Sequence, residues 1–181
     1  VAKRKEAQKE ADLALLAEAK MQILNDREPS NTDKLVSIIP YLLPLLDGLQ
    51  FGRFLLQGEE GNPAVAILAI LFTLYRSIPF SGLISFFALS FLSGNLGLNR
   101  LIRYNMQQAI FLDIALFFPS LIAGIYGLVL NGVGTQAPEI VTQLGNDAVF
   151  VGLLVAVGYS VVSSLLGVTP NQIPGVSQQV D

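Results

Sequence analysis

Four apolar stretches, at about 35–56, 64–92, 109–130 and 148–167, constrain this 181-residue chain more than any other feature. Each reaches the ~20 residues that an α-helix needs to cross a hydrocarbon core of ~30 Å. With 52% hydrophobic and 14% charged residues the chain is too apolar for a water-soluble domain of this size. The reading is an all-α fold: a polytopic integral membrane bundle of four transmembrane helices over 35–167, the second broken near Pro79. A charged helical segment over 1–34 precedes it and a polar C-terminal tail over 168–181 follows.

Local signals support these limits. In residues 1–28, Lys3, Arg4, Lys5, Lys9, Lys20 and Arg27 alternate with Glu6, Glu10, Asp12, Glu18, Asp26 and Glu28, as in a solvated helix; Leu13, Leu16, Ala17 and Leu24 give it only a narrow apolar stripe. Thr32 and Asp33 are start signals for the first span, Asn62 and Pro63 for the second, Asn146 and Asp147 for the fourth. A glycine-rich loop, 131–145, separates the last two. The chain opens on Val1 with no basic-then-apolar leader, so no secretory signal is visible within it, and a transit peptide removed ahead of Val1 stays an open alternative.

Charge orients the bundle. With four crossings, residues 1–34, loop 94–108 and the tail share one side, which holds nine of the eleven basic residues. Loops 57–63 and 131–147 hold Glu59, Glu60, Glu139 and Asp147 and no Lys or Arg. The positive-inside bias therefore places both termini on the cytosol-like or stroma-like side.

Four ionisable residues fall within the apolar stretches: Asp47, Arg53, Arg76 and Asp113. A charge at a bilayer centre costs about 2.5 to 3.5 kcal/mol on insertion scales, so each needs a partner, water or a route to the headgroups. Arg53, near the end of its span, is read as an interface anchor. Asp47 and Arg76 lie at matching distances into the first and second spans, so they are candidates for a mid-membrane pair or a shared polar path, with Asp113 as competing partner for Arg76. Arg100, Arg103 and Gln107, at i, i+3 and i+7, line one helix face at the membrane surface for headgroups, a partner subunit or a passing polypeptide.

Pro40 and Pro44 in the first span, Pro79 in the second and Pro119 in the third make the helices irregular, each freeing a carbonyl about four residues earlier. Gly48 and Gly52 form a G-x-x-x-G step for close helix packing; Ala123 with Gly127, and Gly152 with Ala156, are similar steps.

The sequence argues against an enzyme and against a cofactor, a metal or a nucleic-acid partner. Cysteine, histidine and tryptophan are absent, which removes thiolates, the usual near-neutral base and the best soft-metal ligands, and the net charge is only -3. Gly132 and Gly134 make a lone G-x-G without the rest of a dinucleotide motif, and Ser81, Ser85 and Ser93 have no histidine base. Two-carboxylate chemistry needs both groups at one depth, and the assigned spans put Asp47 and Asp113 at different depths.

The segments GLQFGRFLL (48–56), LYRSIPFS (74–81) and RLIRYNMQQAIFLDI (100–114), in this order and spacing, resemble the Tic20 family, small four-helix membrane subunits of the protein translocon at the chloroplast inner envelope. The likeness covers about 35–119 and maps the family's recurrent residues onto Tyr41, Gly48, Gly52, Arg53, Tyr75, Arg76, Pro79, Arg100, Arg103, Asn105, Gln108 and Asp113. It implies a multi-pass plastid inner-membrane protein with stromal termini that forms or assembles a path for unfolded precursors. Its partners would be other inner-envelope subunits, the outer-envelope translocon, precursor polypeptides and membrane lipids. Two alternatives remain at this point: a small-solute carrier and a purely structural assembly subunit.

Overall fold

The structure, a computed structural model, describes residues 2–25, 27–59 and 61–173. Residues 174–181 of the expected polar tail, and Asp26 and Glu60, lie outside the described residues. The described chain is all-helical without a strand: α1 Ala2–Asn25, α2 Asn31–Ile38, a 3-10 turn Ile39–Tyr41, α3 Leu42–Gly48, α4 Pro63–Ser77, α5 Ser81–Ser93, α6 Arg100–Gly132 and α7 Glu139–Leu165.

The helix α1 is exposed along Arg4–Lys20, its leucines included. A capping box then starts α2: the Asp33 amide donates to Ser30 Oγ at 3.2 Å, and the Ser30 amide donates to Asp33 Oδ2 at 2.9 Å. The cap sits two residues before Thr32, with Asp33 as the reciprocal third-position acid.

The apolar stretch 35–56 is not one helix. Pro40, which has no N–H to donate, falls in the 3-10 turn, Pro44 lies one turn later in α3, and the chain continues past Gly48 in successive turns. Among the described residues two helices, α6 and α7, are each long and apolar enough to cross a membrane. A third crossing arises if α4 and α5, bent by 92° at their junction, form one span. The bend follows from Pro79 and from Phe80, the one non-glycine residue with positive φ (59°) among the described residues.

Two helices start earlier than their hydropathy suggests. Asn99 caps α6, accepting from the Leu101 amide at 2.9 Å, so 100–108 is helical and largely buried, not a loop. Pro138 and Glu139 open α7, which makes Asn146 and Asp147 interior helix residues and shortens the preceding loop.

Helix α6 is the hub on which α2, the 3-10 turn, α3, α5 and α7 pack, whereas α4 has no buried residue. The core joins Tyr41 and Phe51 to Ala109, Leu112 and Leu116 of α6 and to Phe150, Leu153 and Val157 of α7. Many large apolar side chains face outward, such as Phe117, Ile122 and Leu128 on α6 and Phe87 and Phe91 on α5. Lipid solvates such faces as well as a core does, so close packing and interhelical hydrogen bonds must hold the bundle together.

Candidate functional site

The break between α4 and α5 and the end of α3 enclose a cavity of about 270 Å³, bordered by Asp47, Tyr75, Arg76, Pro79, Phe80 and Gly82. The Tyr75 hydroxyl donates to Asp47 Oδ1 at 3.0 Å. The Asp113 carboxyl of α6 and the Ser81 hydroxyl lie beside this pair, close enough to interact with Asp47 and with the Tyr75 hydroxyl respectively. Gly82 lets α5 close over the group: a Cβ there would lie 3.0 Å from Tyr75 Oη and 3.2 Å from Asp47 Oδ2. Four elements, α3, α4, α5 and α6, thus converge on one polar cluster.

Its depth follows from the helix starts. Counting from Arg100, Asp113 is ~20 Å along α6 at 1.5 Å per residue, and counting back from Ser93, Ser81 is ~18 Å along α5. The two aspartates therefore share a level, contrary to the different depths read from the apolar limits. The discrepancy arose because α6 begins nine residues before 109. With it goes the depth argument against two-carboxylate chemistry.

Asp47 and Arg76 border the same cavity without forming an ion pair. Arg76 is exposed, with its guanidinium carbon 5.6 Å from the Phe72 ring centre. Among the described residues the ion pair present is Arg27–Asp33 at 3.4 Å, at the other end of α2. There, burial pushes the Asp33 carboxyl up, but hydrogen bonds from the Ser30 hydroxyl and amide and the charge of Arg27 outweigh it, so its pKa lies below the ordinary 3.8.

The remaining sequence candidates separate. Arg53 is exposed and stacks over Phe54 at 4.6 Å. Arg103 donates through Nε to the Ser93 carbonyl at 2.9 Å, capping the C-terminal end of α5. Gln107 is half-buried beside it on α6, while Arg100 is exposed in a separate cavity. Gly48 and Gly52 face α7: a Cβ on Gly48 would meet Leu153, and one on Gly52 would come within 2.7 Å of the Phe150 ring.

A second polar group lies in the core, and residue-level reading did not single it out. Asn105 and Gln108 of α6 and Ser160 and Ser164 of α7 are completely buried. Asn105 Oδ1 accepts from the Tyr41 hydroxyl and from Ser164 Oγ (2.9 Å), while its amide donates to the Leu101 carbonyl at 2.7 Å. Gln108 Nε2 donates to Ser160 Oγ at 3.3 Å. The i, i+4 spacing of Ser160 and Ser164, within an otherwise apolar span, was the available signal. These bonds clamp the 3-10 turn, α6 and α7 together.

The family model described as chloroplast import apparatus Tic20-like matches residues 3–180. The chain is 36% identical over 145 residues to Protein TIC 20-II, chloroplastic, of Arabidopsis thaliana, covering 77% of this chain and 66% of that protein. It is 31% identical over 165 residues to Protein TIC 20-v, chloroplastic, of the same plant, covering 89% and 75%. It is also 32% identical over 140 residues to a Tic20 family protein of Synechocystis, covering 75% and 82%. No solved structure matches the chain.

Proposed function

This chain belongs to the Tic20-like family of the chloroplast import apparatus, and we propose that it is a membrane subunit of the inner-envelope import translocon that lines part of the path for unfolded precursors. In this reading the segment through α2 and α3 makes the first of four crossings and α4 with α5 the second. Both termini then face the stroma, in keeping with the sidedness of the basic residues. Neighbouring translocon subunits complete the conduit, because so small a bundle encloses no polypeptide-wide channel by itself. The observation that carries the reading is the half-buried polar cluster of Asp47, Tyr75, Ser81 and Asp113 at a helix break with a cavity beside it, between otherwise apolar helices. Non-helical backbone and ionisable groups at such depth are tolerated where they face protein or water, the setting that a hydrophilic chain in transit requires. The pair is assigned no catalytic step.

Import into plastids depleted of the native protein and supplied with Asp47→Asn, Asp113→Asn or the double variant tests this. A several-fold slower import at unchanged protein level and complex assembly is expected. Normal import would take the cluster off the path. The second reading, an assembly subunit, draws on the outward apolar face of α6 at Phe117, Phe118, Ile122 and Leu128. It would be preferred if substitutions there dissolved the complex while the aspartate variants imported normally.

A further inference from the structure

At the end of the bundle where α2 and α6 begin and α7 finishes lies a cavity of about 310 Å³, bordered by Arg27, Asn99, Arg100, Gly167 and Thr169. Arg100 is exposed, and no acidic side chain among the described residues pairs with it. Arg27 spends one nitrogen on Asp33 and keeps 59% of its side chain exposed. A third cation is close by: a Cβ on Gly167, where φ is +80°, would lie 2.9 Å from Lys34 Cε and 3.3 Å from Nζ. The one acid on the described α2, Asp33, is already engaged by Ser30 and Arg27. The cavity thus presents two planar guanidinium groups with unused donors, the geometry that suits bidentate contact with phosphate oxygens.

Exposed apolar residues that neighbour the cavity residues in the chain favour a lipid over a free anion. Leu166 and Val168, on either side of Gly167, are 71% and 58% exposed, and Leu35, next to Lys34, is 59% exposed. Bare apolar side chains beside a basic cavity suit a molecule with an anionic head and hydrocarbon tails at the membrane surface. We infer that this cavity binds an anionic phospholipid, with Arg27 and Arg100 holding its phosphate and Leu166 and Val168 lying against its acyl chains. This site is remote from the Asp47–Asp113 cluster and does not depend on the import reading.

Native mass spectrometry of the full chain in detergent, titrated with phosphatidylglycerol or phosphatidylcholine, tests the inference. Preferential retention of phosphatidylglycerol is expected, with no displacement by millimolar inorganic phosphate. A basic residue at a membrane surface contributes enough for Arg100→Gln to weaken retention about five-fold. Arg100→Lys, which keeps the charge and loses the fork, should fall between, and Lys9→Gln, on exposed α1, should leave retention unchanged. Equal retention of both lipids, equal retention by Arg100→Gln, or an equal loss in Lys9→Gln would overturn the site. Displacement by inorganic phosphate would overturn its assignment to a lipid. If circular dichroism shows that Arg100→Gln is misfolded, the Arg100→Lys comparison decides.

Discussion

The Tyr75 hydroxyl of α4 donates a 3.0 Å hydrogen bond to Oδ1 of Asp47 at the end of α3, joining residues 28 positions apart. Because α4 buries none of its own side chains, this bond is a principal tie between it and the rest of the bundle. Tyr75→Phe should therefore loosen α4, at a cost of roughly 0.6–2 kcal/mol for an interhelical hydrogen bond in lipid. Proteolysis or hydrogen exchange of α4 in nanodiscs measures this. Unchanged protection would show that lipid contacts alone position the helix.

Gly82→Ala approaches the same bond from the other side. Its methyl would lie 3.0 Å from Tyr75 Oη and 3.2 Å from Asp47 Oδ2, closer than van der Waals contact permits without movement. The expected result is a phenotype shared with Tyr75→Phe, and a double variant little worse than either single one. Additive losses of exchange protection would mean that the two changes act on separate features.

The clamp in the core predicts a measurable coupling. Asn105 supplies the oxygen that accepts from buried Tyr41, so Asn105→Leu leaves that hydroxyl without this acceptor, a loss of about 1–3 kcal/mol. With Tyr41→Phe in the background the same change should cost clearly less. Unfolding in mixed detergent micelles gives the cycle, and strict additivity would contradict the pairing.

Where the turns after α3 meet α7, Gly52→Ala forces a methyl to within 2.7 Å of the ring of Phe150, which is 2% exposed and has little room to turn. Overpacking of this kind costs about 1–3 kcal/mol. A companion Phe150→Leu change should recover part of the loss in the same unfolding assay. Failure to recover would place the strain elsewhere.

The cap of α2 carries a pH dependence. The folded pKa of Asp33 lies below its ordinary 3.8, so between the two values the unfolded chain holds more protons and stability rises with pH. The contribution is complete above about pH 5 and is lost as pH falls through the folded value. The difference in thermal midpoint between the wild type and Asp33→Asn should accordingly shrink below about pH 4. A difference that stays constant down to pH 3 would rule out the cap as its source.

Much of the helical layout was legible in the residues. Asn62 and Pro63 open α4, and Pro79 breaks α4 from α5, because a cap, a missing N–H and a fixed φ are local and act alike in water or lipid. The starts of α6 and α7 were less visible in the hydropathy, since Arg100, Arg103 and Gln107, read as one polar helix face, set the apolar limit at 109 although the residues between them are buried against other helices. That error shifted the apparent depth of Asp113 and concealed its proximity to Asp47. Arg76 was expected to pair with Asp47 or to share a polar path with it, from charge and matching distance along the spans, and the two do border one cavity. Tyr75, next to Arg76 in sequence, points to the carboxylate instead, because adjacent helix residues face about 100° apart.

The most direct measurement places a photo-crosslinking side chain at Ile78 or Phe80, both exposed at the mouth of the cavity, and at Leu128 on outward α6 as a control. The crosslinker is activated during import of an arrested precursor. Adducts with the precursor at 78 and 80 but not at 128 are expected if the cavity lies on the path. Adducts only with lipid or neighbouring subunits at 78 and 80, while import proceeds, would contradict a path role and leave the chain as a scaffold.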